Sequence, residues 1–124
     1  MTLAMVLRLN AASCLGFGAL FALAPGTVAA FLGSAPALLV LVLGVGLLGN
    51  GLLLVLSARA GRVPRRQEVL FFCAGDMGWV AATLVLVAAG LWITAPAGQA
   101  VALVVAGMVG WLGFMQWRNL PAAA

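Results

Sequence analysis

Asp76 is the one acidic residue set within the long apolar stretches of this chain, in Cys73-Ala74-Gly75-Asp76-Met77-Gly78-Trp79. A charged side chain at the centre of a bilayer costs roughly 2.5 to 3.5 kcal/mol on insertion scales, so a carboxyl there has to be paired, protonated or lining water, and it marks a functional site by default. Helical rise of about 1.5 Å per residue, counted from the arginine-bearing ends, puts Arg8 roughly 7 Å deep, Asn10 about 10 Å, and Asn50 and Asp76 about 12 Å. Gln116 lies shallower on the same side. This layer predicts an ionised Asp76 paired with Arg8, whose guanidinium fork suits a carboxylate, with Asn50 donating a further hydrogen bond. The opposing expectation is that Arg8 snorkels to the interface and leaves Asp76 protonated or hydrated. Trp79, one helical turn after Asp76, is placed to wall a pocket or to stack on a cation such as Arg8.

The missing residue types exclude more chemistry than the present ones suggest. The chain has no His and no Tyr, and its second carboxylate, Glu68, falls at the edge of an apolar run. Histidine-ligated haem, Cys/His zinc sites, carboxylate-rich di-iron centres and a Ser-His nucleophile cannot be assembled from such a set. Cys14 and Cys73 read as small packing residues within apolar runs rather than as a redox pair. No cofactor and no enzymatic activity are expected.

The elements that must position these side chains follow from composition. Of 124 residues, 66% are hydrophobic and only 6% charged, and mean hydropathy is +1.26; a soluble domain carries about a quarter charged residues. Four apolar runs, 3–24, 37–58, 68–93 and 98–117, reach the roughly 20 residues that a helix needs to cross a hydrocarbon core. Backbone groups must be satisfied internally in lipid, and the runs lack the two-residue alternation of a barrel, so the fold class is all-α: a single four-transmembrane-helix domain over 1–124. Arg8 comes too late for a signal-peptide n-region, which keeps the first run as a helix. Residues 26–34, with Val28, Phe31 and Leu32 on one side, suggest a short interfacial helix.

Arg59, Arg62, Arg65 and Arg66 crowd the connection between the second and third runs, whereas 25–36 and 94–97 carry no charge. The positive-inside rule places the arginine-rich loop, and with it both termini, in the cytoplasm; Arg8 and Arg118 agree. The net charge of +4 is thus an orientation signal with some attraction to anionic lipid. No aromatic residues interleave these arginines, so a nucleic-acid partner is not expected. The absence of lysine and the Ala/Gly/Val/Leu/Arg bias point to a GC-rich bacterial genome and an inner-membrane protein.

Small-residue stripes indicate helix packing, since close backbone approach supplies much of the association energy in lipid. They are Ala12-Gly16, Ala74-Gly78-Ala82 and Gly98-Ala102-Ala106-Gly110, with Gly44, Gly46, Gly49 and Gly51 in the second helix. In the third helix Phe72, Cys73, Asp76, Val80 and Thr83 share one face, with its small residues nearly opposite, which predicts a central helix packed on both sides. Arg8 and Asn10 stand about 200° apart on the first helix and should serve different neighbours. The connections Leu23-Ala24-Pro25-Gly26 and Thr94-Ala95-Pro96-Ala97-Gly98 resemble each other and suggest two tandem helical hairpins.

Leu7-Arg8-Leu9-Asn10, Pro25-Gly26, Asp76-Met77-Gly78-Trp79-Val80 and Gln116-Trp117 together resemble a group of uncharacterised small four-helix bacterial inner-membrane proteins, a resemblance that implies architecture and no activity. DoxX-like proteins are similar in size, helix count and an early arginine. Small-multidrug-resistance transporters share the size but carry a functional glutamate in the first helix, where this chain has none. Two functions are expected. One is a non-enzymatic accessory or assembly subunit, or a self-associating bundle, with lipid, copies of itself or a larger membrane complex as partners. The other is a small dimeric proton- or cation-coupled transporter or channel using Asp76, with Asn10 and Asn50 as polar lining.

Overall fold

The computed structural model of the protein describes residues 1–122, and these are all helical apart from turns and one isolated bridge. Five helices follow in order: α1 (Leu3–Leu23), α2 (Pro25–Leu32), α3 (Ala37–Ser57), α4 (Arg66–Ala89) and α5 (Pro96–Arg118). All but α2 are long and apolar enough to cross a membrane. Their outward faces carry Leu38, Val85 and Val104, exposed by 71%, 65% and 73%, an apolar surface that suits hydrocarbon and not water.

Local signals set the ends. Thr2 caps α1 by accepting from the Met5 N–H at 3.2 Å, and Glu68 reaches back to the Arg65 N–H at 2.8 Å, one half of a capping box. Pro25 and Pro96 stand at the first turns of α2 and α5, where the missing N–H costs nothing. Each therefore starts a helix as well as stopping one. The run 68–93 is shorter at its far end than expected, because Gly90 takes the left-handed conformation at φ 64° and closes α4 at Ala89. Beyond it Ile93 forms an antiparallel bridge with Gly33, and Leu32 O accepts from the Thr94 and Ala95 N–H groups at 2.9 and 3.0 Å. The two arginine-free connections are thereby tied to each other.

α1 lies along α3 and α4 along α5; the two pairs meet where α1 crosses α5, and α2 braces α1, α3 and α5. Glycines permit the close approach of α1 and α3. A Cβ on Gly44 would fall 2.7 Å from the Ala22 nitrogen, and one on Gly18 2.9 Å from the Leu48 nitrogen, so both positions require a bare backbone. Gly98 likewise seats α5 beneath α2, its absent Cβ 2.7 Å from the Phe31 carbonyl oxygen. Other expected packing positions turn outward: Gly16, Gly46, Gly49 and Gly78 meet open space, and Ala12, Ala74 and Ala82 are exposed. The expectation that α4 is packed on both sides is thus corrected. Only its Phe72, Cys73, Asp76 and Thr83 side is buried, because α4 has close partners on one flank and none on the other.

Candidate functional site

Three side chains converge from three helices. Asn10 of α1, Asp76 of α4 and Gln116 of α5 are 2%, 5% and 0% exposed. Asn10 Nδ2 donates to Asp76 Oδ2 at 2.9 Å and to Oδ1 at 3.2 Å, and Gln116 Nε2 donates to Oδ2 at 2.6 Å. Asn10 Nδ2 also donates to Gln116 Oε1 at 3.0 Å, which closes a three-membered ring of hydrogen bonds. Two primary amides thus aim donors at one carboxyl, and no buried side-chain nitrogen or oxygen among the described residues lacks a partner. A closed ring of this kind avoids the penalty that any one of the groups would incur alone in an apolar interior.

Helix geometry explains the convergence. Asn10 lies on the buried side of α1 with Val6, Leu7 and Cys14. Gly113 stands three residues before Gln116, on the same face of α5. A Cβ there would meet Met77 Cε at 2.6 Å and Asp76 Cβ at 3.1 Å, so the glycine lets α4 come close enough for Gln116 to span the gap. Cys73 adds a contact across the same seam, its thiol donating to Gly113 O at 3.5 Å.

The expected Arg8–Asp76 pair is not formed. With Asn10 turned inward, Arg8 about 200° away must turn outward. Its Nε and Nη2 donate to Ala58 O at 3.3 and 3.1 Å, which satisfies a carbonyl at the C-terminal end of α3, where a cation is favoured. Asn50 does not reach Asp76 directly either. Its Nδ2 donates to Cys14 Sγ at 3.5 Å, and the Cys14 thiol donates to Asn10 Oδ1 at 3.5 Å. Cys14, read from sequence as packing, is the relay between the two asparagines. Gln116, expected near the interface, reaches inward instead.

Trp79 stacks on Phe21 rather than on a cation, with ring centroids 6.4 Å apart and planes at 26°. Beyond this pair, away from Asp76, an apolar cavity of about 400 Å³ opens between the helix pairs beneath α2, walled by residues such as Phe17, Phe31, Leu39 and Val105. The polar ring therefore has aromatic and aliphatic groups on that side.

The connection between α3 and α4 carries its own contacts. Arg62 Nη2 pairs with Glu68 Oε1 at 2.8 Å, and Arg62 Nη1 donates to Ser57 O at 3.2 Å. Arg66 Nη1 donates to Pro121 O at 3.0 Å, clipping the chain end beyond α5 to the start of α4. Arg65 supplies the N-cap position of α4. Among the described residues no cluster of His, Cys, Asp or Glu is arranged to hold a metal ion. No protein-family model, curated protein or solved structure matches this chain.

Proposed function

We propose that this is a non-enzymatic small bacterial inner-membrane protein, oriented with both termini and the arginine-rich connection in the cytoplasm, that acts through helix–helix association. The observation that carries this reading is the closure of the Asn10–Asp76–Gln116 ring. Its hydrogen bonds are spent within the molecule, and the cavity on its far side is apolar, so the polar layer serves to fix the helices and does not continue as a lined path. The surfaces left to act are then the outward ones, and α4 offers an unpacked flank at Gly78. In lipid such a bare backbone is where a second helix gains most contact. Assembly as a homo-oligomer or with a larger membrane complex follows.

Gly78→Cys, in a chain with Cys14 and Cys73 replaced by Ala, tests this by oxidative cross-linking in native membranes. A disulfide-linked dimer, or a discrete cross-linked heteromer, is the expected result. Monomer alone, with surface labelling proving the thiol reactive, would overturn it. A second reading, proton or cation coupling, is favoured by one observation: Asp76 has no cationic partner among the described residues. Proteoliposomes loaded with a pH-sensitive dye distinguish the two, since coupling requires an Asp76-dependent flux and the structural role requires none.

A further inference from the structure

At the arginine-bearing end, α3 and α4 are joined in sequence by residues 58–65 but do not pack along each other. The space between them is an open groove of about 450 Å³. Its walls are Leu53 and Leu56 of α3 and Phe71 of α4, exposed by 51%, 45% and 60%. Its mouth is set by Arg59, Arg62 and Gln67. An apolar trough that ends in guanidinium groups at the margin of a membrane span is complementary to one kind of molecule, an acyl chain carrying an anionic head.

The charges at the mouth are unevenly committed. Arg62 is held in place by Glu68 and Ser57, and Glu68 is in turn saturated by Arg62, Ser57 and the Arg65 N–H. The one carboxylate in the lining is thus neutralised by an ion pair. The Arg59 side chain has no hydrogen-bond or ion-pair partner among the described residues and stands exposed; only its backbone carbonyl is used, accepting from the Arg62 N–H at 3.2 Å. A free guanidinium presents its donors in a planar fork that matches two phosphate oxygens. Arg62, fixed through its two terminal nitrogens, keeps Nε unpartnered beside it.

We propose that this groove is a binding site for an anionic phospholipid, with the headgroup phosphate on Arg59 and Arg62 and an acyl chain along Leu53, Leu56 and Phe71. The site is independent of the helix-association reading: it needs one copy of the chain and uses neither Gly78 nor Asp76. It also gives Arg59, an arginine of the connection with an uncommitted side chain, a task beyond orientation.

Native mass spectrometry of the detergent-purified protein, titrated with phosphatidylglycerol or phosphatidylcholine, tests the proposal. Phosphatidylglycerol should bind in preference, and Arg59→Gln should lower its affinity about five-fold, the worth of one arginine near an anionic surface. Arg65→Gln, which removes the same charge from a side chain outside the groove, should leave that affinity within two-fold. Leu56→Trp, which fills the trough, should reduce binding of both lipids while the helical circular dichroism is retained. Soluble glycerol phosphate at equal concentration should not displace the lipid; displacement would show the site to be for a free phosphate. Equal losses in Arg59→Gln and Arg65→Gln, or no preference for phosphatidylglycerol in the unaltered protein, would overturn the proposal in favour of diffuse attraction.

Discussion

Replacing Gln116 by Leu removes two hydrogen bonds with little change in side-chain size. The Nε2 donation to Asp76 at 2.6 Å disappears, as does the acceptor for Asn10 at 3.0 Å. Interhelical hydrogen bonds in membranes average about 0.6 kcal/mol and reach about 1.7, while bonds to a charged group contribute about 1.5 to 3 kcal/mol. Loss of both, with Asp76 left on Asn10 alone, should destabilise the fold by about 2 to 3 kcal/mol. The measurement is detergent-induced unfolding in mixed micelles, followed by tryptophan fluorescence, with Trp79 reporting from one turn above Asp76. A cycle of Asp76→Leu, Gln116→Leu and the double variant isolates the pair, and its coupling energy should exceed about 1 kcal/mol. The matching cycle for Arg8 and Asp76 should give none within error, because Arg8 is committed to Ala58 O. Coupling between Arg8 and Asp76 together with none between Gln116 and Asp76 would refute the reasoning outright.

Two further outcomes separate packing from mere composition. Gly44→Leu should abolish the folded form in micelles, since even its Cβ would lie 2.8 Å from Phe21 Cβ and 2.9 Å from Gly18 O, whereas Gly46→Leu, facing open space, should fold with unaltered stability; folded yield and circular dichroism report both. Gly33→Val forces a β-branched residue to φ 124° at the bridge to Ile93, a conformation that only glycine adopts without strain of order 1–3 kcal/mol, and hydrogen exchange at Thr94 and Ala95 should rise at least ten-fold.

Run length and charge made the four long helices legible, because neither depends on how helices meet. The short helix after Pro25 was legible as well, from the spacing of Val28, Phe31 and Leu32. The end of α4 was not: apolar residues continue through Ile93, and only the backbone conformation at Gly90 turns the chain aside. Helical phase separates Arg8 from Asn10, yet charge complementarity points to Arg8 as the partner of Asp76 whereas direction gives that place to Asn10. A guanidinium can find a carbonyl at a helix end, as Arg8 does at Ala58; a buried amide has few alternatives to a buried carboxyl. Gly113 carried a usable signal, a glycine one turn from the glutamine of the last helix. Cys14 carried none, because a thiol acting as both acceptor and donor looks in sequence like any small apolar residue.

The same contacts explain how a chain with so little polar material holds one arrangement. Apolar contacts between helices in lipid specify position weakly, since lipid tails are as apolar as the side chains they replace. Directional bonds must supply the register; besides the Arg8–Ala58 and Arg66–Pro121 contacts near the arginine-rich connection, this protein places them at two levels that tie one helix pair to the other. At one level the Asn10–Asp76–Gln116 ring joins α1, α4 and α5, the helices through which the two pairs meet. At the other, the backbone of Leu32–Ser34 is bonded to that of Trp92–Ala95, and needs no polar side chain to do it. Between the levels α1 and α3 stay locked at Gly18 and Gly44, whereas the Phe21–Trp79 stack and the apolar cavity lie between the two helix pairs, so α4 and α5 have room there to shift against α1. Loss of the ring should therefore let α4 and α5 swing about the Gly33–Ile93 bridge without separating from it. In Gln116→Leu, cross-links engineered between α1 and α4 near residue 76 should weaken, while those between residues 34 and 94, whose hydroxyls stand 3.3 Å apart, persist; loss of both together would show that the two ties are one cooperative unit.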